Sequence, residues 1–129
     1  MIVASLLPDS NNQTERWEAQ LRKGTLEMAV LATLWNGHLY GLEIIRFLES
    51  QSSLVLAVGT IYPILNRLKA EGLLTSIWVE AKAGHPRKYY SLTEAGRHRL
   101  RQMAETWFGF SRGLGRLLEP VLEKQESPR

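Results

Sequence analysis

Apolar residues recur at steps of three and four along most of this chain, and in one region that pattern gives way. In GTIYPILNRLKAEGLL, residues 59–74, Ile61, Ile64, Leu65 and Leu68 fall at i, i+3, i+4 and i+7, one stripe of an amphipathic helix. Pro63 suits only a first turn, where its missing N–H has no partner anyway. The helix is therefore expected to start near Gly59 or Thr60, with Thr60 as cap, and Gly72 ends it. Upstream, Thr14 can cap a short helix with Trp17 and Leu21 on one face. Thr25 is a second N-cap, followed by LEMAVLATLW, apolar on nearly every side and so buried by several neighbours. Gly37 suits the left-handed position that closes it. A third helix near Tyr40–Glu49 groups Leu42, Ile45 and Leu48, and Leu54–Leu56 reads as a very short strand.

The change comes after Gly72. LLTSIWVE and RKYYSL are β-rich runs joined by AKAGHP, a turn with Gly and Pro, so they form a hairpin. Tyr89 and Tyr90 must then point to opposite faces. Trp78 is expected to pack structurally against a cross-strand partner. Thr93 begins the last helix. There Leu100, Met103, Trp107, Phe110, Leu114, Leu117 and Val121 alternate steps of three and four, a heptad seam. So long a seam has no place to hide in a small monomer, so it is expected to pair with another chain. Gly109, Gly113 and Gly115 weaken that helix, and Pro120 should end or kink it at Glu119.

Length and charge narrow the picture. The 129 residues make one domain with a modest core, and the ordinary mix of 44% hydrophobic and 22% charged residues fits a folded protein. A net charge of +3 mildly favours an anionic partner. Absence of cysteine excludes disulfides and thiolate chemistry. No run approaches the roughly 18 apolar residues of a membrane span, and MIVASLLP is a poor signal peptide. A soluble, cytoplasmic protein without membrane contact is expected.

Three helices, a two-stranded hairpin and a long helix make a mainly α fold with a small β-hairpin. This is the winged helix-turn-helix pattern, in which the last helix of the trio enters the major groove and the hairpin reaches the adjacent backbone. On the quoted helix, Thr60, Tyr62, Pro63, Asn66, Arg67 and Lys69 lie off the apolar stripe and are available to DNA. Basic residues gather from Lys82 to Arg101, on the hairpin and its flank: Lys82, His85, Arg87, Lys88, Arg97, His98, Arg99 and Arg101, with Glu94 the lone acid in that stretch. That is the charge pattern of a wing facing phosphates. The expected partner is double-stranded DNA.

These blocks also resemble a family. GTIYPILNRLKAEGLL followed by GHPRKYYSLTEAGRHRL, with YGLEI (Tyr40–Ile44) upstream, is similar to the signature of the PadR family of transcriptional regulators. The resemblance covers roughly residues 20–108. It implies a winged-helix homodimer that usually represses transcription at a palindromic operator. It places Tyr62, Asn66 and Arg67 on the reading helix, and His85, Arg87 and Lys88 on the wing. The short C-terminal region resembles the compact branch with one long dimerising helix. In some compact members a tryptophan on that helix sandwiches planar aromatic compounds, and Trp107 sits at the matching position. The other reading of Trp107 is that it fills the dimer core, as its heptad position requires. The N-terminal arm departs from the family's common pattern. Read from the residues, the chain divides into a loose arm at 1–13, a DNA-binding head at 14–92, a dimerisation helix at 93–122 and a frayed tail at 123–129, with Leu100, Met103, Trp107, Phe110, Leu114 and Leu117 of the seam in the dimer contact.

Other chemistries lack their residues. His38, His85 and His98 are far apart in sequence, which does not suit a metal site. No oriented nucleophile and base pair up, and Gly109–Gly113 lacks the strand and lysine of a phosphate loop. Neither catalysis nor a cofactor is expected. The rival reading is a winged helix that binds proteins and never DNA.

Overall fold

The computed structural model describes residues 10–51, 57–80 and 84–126. The expected strand at Leu54–Leu56, wing residue Lys82, most of the arm and the last three residues lie outside the described residues. Among those described, the chain forms α1 (Ser10–Thr33), β1 (Leu39–Tyr40), α2 (Gly41–Gln51), α3 (Val58–Ala70), β2 (Leu74–Val79), β3 (Arg87–Leu92) and α4 (Glu94–Glu126).

α1 is one helix where two were expected, and it already includes Ser10–Thr14, ahead of the expected cap. Thr25 does not cap. Its Oγ1 donates back to the carbonyls of Leu21 and Arg22, at 3.2 and 3.3 Å, inside an unbroken helix. The last turn tightens instead, with Leu34 N–H to Leu31 and Trp35 N–H to Ala32. Gly37 is not left-handed; among the described residues only Gly72 and Gly84 have positive φ.

α2 buries Gly41, Ile44, Ile45 and Leu48, while the expected core residue Leu42 is exposed. Glu43 accepts the Tyr40 N–H at 3.2 Å, half of a capping box. α3 buries the stripe read from the sequence, Ile61, Ile64, Leu65 and Leu68. Its N-cap is Ala57 without a side-chain cap, so Thr60 is not the cap. Pro63 therefore stands beyond the first turn, and it removes the bond that Gly59 would otherwise accept. At the other end, Gly72 N–H bonds Lys69 and Leu73 N–H bonds Leu68, both at 3.0 Å. With Gly72 at φ 80° this is a Schellman closure, which needs a residue free of Cβ strain.

β3 is the middle strand, with β1 and β2 antiparallel on either side. The β1 pairing, Leu39 with Tyr90 and Tyr40 with Tyr89, was not expected from sequence, because two residues carry no period. Tyr90 points into the core at 1% exposure. Tyr89 takes the opposite face, edge-on to Tyr40 and His38.

Thr93 joins head to long helix. Its hydroxyl accepts the Gly96 N–H at 2.9 Å and donates to the Gly72 carbonyl at 2.7 Å. It caps α4 and ties it to the turn that ends α3. Gly96 is obligatory here, since a Cβ would collide with the Leu73 carbonyl. α4 does not stop at Glu119; it runs through Pro120 to Glu126, about 50 Å at 1.5 Å per residue. The hydrophobic core joins Val30, Leu31 and Leu34 of α1 and its end to α2, α3, Leu74, Tyr90 and Leu100 of α4.

Candidate nucleic-acid interface

At 100° per residue, the line of α3 opposite its buried stripe is Gly59, Pro63, Asn66 and Ala70, all exposed. Its outermost line is thus nearly smooth. Larger side chains flank it: Tyr62 and Lys69 on one side, Thr60 and Arg67 on the other. A helix with a low crest and tall flanks can lie close to a groove floor while its flanks reach the walls.

The flanks are held by the neighbouring elements. Tyr62 rests against the N-terminus of α2, where a Cβ on Gly41 would lie 2.5 Å from its Oη. Beneath it, burial pushes the Tyr90 hydroxyl above its ordinary pKa of 10.0, and the adjacent Tyr62 adds to the shift. Arg67 turns the other way. Its Nη2 pairs with Glu27 of α1, and its Nε lies 4.0 Å from Glu71. The cation singled out by sequence is therefore committed to acids of its own chain, though about half exposed.

On the wing, Arg87 stacks over the Tyr40 ring at 4.6 Å. Lys88 faces Trp78 across the strands and lies 5.7 Å from the indole and 5.8 Å from the Tyr90 ring. Wing and α3 enclose a cleft of about 460 Å³ lined by Tyr40, Leu42, Tyr62, Asn66, Trp78, Pro86, Arg87, Lys88 and Tyr90. Among the described residues no carboxylate lines it. The cleft joins the expected residues Tyr62, Asn66, Arg87 and Lys88 to Tyr40 and Trp78, which sequence reasoning did not place in the interface. The signal for Tyr40 was its position before Gly41 in YGLEI. His85 is exposed near the wing tip.

Two members of the basic run do not face the wing. Arg97 stacks on Trp35 at 4.6 Å and donates to its carbonyl at 3.0 Å, while Arg101 lies 5.5 Å from the same ring. Both fasten α4 to the end of α1.

Along α4, Leu100 is in the protomer's own core and Met103 packs on it. Beyond Trp107 the apolar residues emerge: Phe108, Phe110, Leu114, Leu117, Leu118, Val121 and Leu122 are 42–73% exposed. Beside this row, α1 and α4 form a cleft of about 870 Å³ walled by Trp17, Leu21, Met28, Trp35, Trp107 and Phe108, among others. Among the described residues no cluster of three or more His, Asp or Glu could hold a metal ion, and no helix is long and apolar enough to cross a membrane.

A helical trio, a three-stranded sheet with a wing, and a cationic cleft beside an exposed α3 define a winged helix-turn-helix protein of the DNA-binding class. The sequence profile of the transcriptional regulator PadR-like family matches residues 30–102, more than half of the chain. The chain belongs to the PadR family, whose members are DNA-binding transcriptional regulators and not enzymes. It is similar to a PadR family regulator from Eggerthella lenta, 34% identical over 84% of this chain and 95% of that one, with TM-score 0.75. It is also similar to a PadR-like regulator from Bacillus cereus, 30% identical over 78% and 97% of the two chains, with TM-score 0.71. A PadR family regulator from Clostridium difficile is 26% identical over 73% and 98%, with TM-score 0.67. No curated protein is significantly similar to this chain.

Proposed function

We propose that the chain acts as a homodimer that represses transcription by occupying a palindromic operator. The observation that carries this reading is the apolar row on α4. Phe110, Leu117 and Val121 are more than half exposed on a helix that runs past its own core. Water contact along so continuous a row is unfavourable, and a second copy offers the matching surface. Dimerising through 93–122 pairs two heads, 14–92, about a two-fold axis.

In each head, α3 enters the major groove with its crest of Gly59, Pro63, Asn66 and Ala70. Tyr62 and Asn66 reach base edges, Lys69 meets a groove wall, and Thr60 and Arg67 meet the other. Lys82, His85, Arg87 and Lys88 of the wing meet phosphates. These backbone contacts fix register, and the base contacts carry sequence information. Bound over a promoter, such a dimer denies the site to polymerase. Titrating duplex DNA from the protein's own upstream region at several salt concentrations tests the reading. Affinity should fall linearly on a log–log plot, about 0.9 in slope per phosphate contacted. Salt-independent or absent binding would leave only a protein-docking role.

The tryptophan-walled cleft supports a second function for the same dimer. Trp17, Trp35 and Trp107 line this cleft, and their indole rings suit a planar aromatic effector. Quenching of tryptophan fluorescence by such compounds, lost in Trp107→Ala, tests it.

A further inference from the structure

Trp78 is 67% exposed on the wing, far more than Tyr62 at 38%. The register explains its direction. Leu74, Ser76 and Trp78 share one face of β2, opposite Leu92, Tyr90 and Lys88. Leu74 ends that face in the core, and Trp78 carries it outward into the cleft shared with Tyr62 and Asn66. Its neighbours there are Arg87 and Lys88, with no carboxylate among the described lining residues. The cleft thus pairs two cations with a broad apolar plate. An anion with an apolar body complements it. A sugar–phosphate strand has that character: charged phosphates alternate with deoxyribose rings whose faces are apolar.

We propose that the cleft between α3 and the wing seats one sugar–phosphate strand, with the Trp78 indole packed on a deoxyribose and Arg87 and Lys88 on the flanking phosphates. The proposal rests on the DNA-binding reading and goes beyond it by naming an uncharged contact. Lys88, 5.7 Å from the indole ring, carries its own charge to the strand.

The test compares wild type with Trp78→Thr, which keeps β propensity, with Trp78→Phe, and with Lys88→Ala. Duplex DNA is titrated across a salt series, on an operator fragment and on an unrelated duplex. Trp78→Thr should weaken both by roughly tenfold, the scale of truncating an aromatic anchor, because a sugar contact carries no sequence information. Its salt slope should keep the wild-type value, and Trp78→Phe should recover most of the loss. Lys88→Ala should lower the slope by about 0.9. Unchanged affinity in Trp78→Thr overturns the assignment. So does a slope that falls as in Lys88→Ala, which would make Trp78 merely a prop for the lysine. Failure of wild type to bind duplex DNA at low salt would instead overturn the underlying DNA reading.

Discussion

Gly41 and Tyr62 fit each other closely: the phenol of Tyr62 fills the space that a β-carbon on residue 41 would need, 2.5 Å from Oη and 2.7 Å from Cζ. One helix's first residue thereby sets the direction of a side chain on α3, the helix proposed to read DNA. Gly41→Ala should push the Tyr62 ring aside. Because that ring is partly exposed it can move, so stability should fall by no more than about 1 kcal/mol, while DNA affinity falls more. In a Tyr62→Ala background the same change should have little further effect, a non-additivity that a double-mutant cycle of binding measures.

Arg67 and Glu27 give a second expectation. The pair is half exposed, so Glu27→Gln should change stability by less than about 1 kcal/mol. It also releases the Arg67 guanidinium from Glu27, beside the exposed crest of α3. DNA affinity should rise in Glu27→Gln and fall in Arg67→Ala. A fall of about 1–3 kcal/mol confined to one operator position would mark a guanine contact; an equal fall on every duplex would mark a phosphate contact. Competition titrations against operator variants separate the two.

Sequence made the stripe of α3 legible because four apolar residues repeat a helical period within eight positions. The hairpin was legible from its β-rich runs and its turn. The errors share a cause. Thr25 and Pro120 carry local stop signals, yet α1 and α4 continue through both. At Thr25 the hydroxyl finds partners within the helix, and backbone bonding goes on. β1 has only two residues and owes its existence to β3. Arg67 looked free because nothing local shows that Glu27, forty residues earlier, lies beside it. The Gly41 contact and the reach of Trp78 into the cleft are likewise tertiary facts.

The Tyr90 hydroxyl sets a pH dependence. Its pKa is raised in the folded chain, by burial first and by Tyr62 second. The unfolded chain loses this proton near pH ~10, while the folded chain still holds it. Above that pH the unfolded state binds fewer protons, so stability falls as pH rises. Chemical denaturation between pH ~9 and ~11 should show the decline, reduced in Tyr90→Phe.

Association should depend on the far half of α4. Phe110→Asp or Leu114→Asp sets a charge within the apolar row and should give monomers in sedimentation, with DNA binding greatly weakened. Changing Leu100 should instead unfold the head, since that side chain is 7% exposed in the protomer's own core.

The most direct test is a hydroxyl-radical footprint on the chain's own upstream DNA. Two symmetric protected segments, centred about 10–10.5 base pairs or a whole multiple apart, are expected from two α3 helices on one face of the duplex. A single segment, or none even at low salt, would contradict a paired reader of DNA.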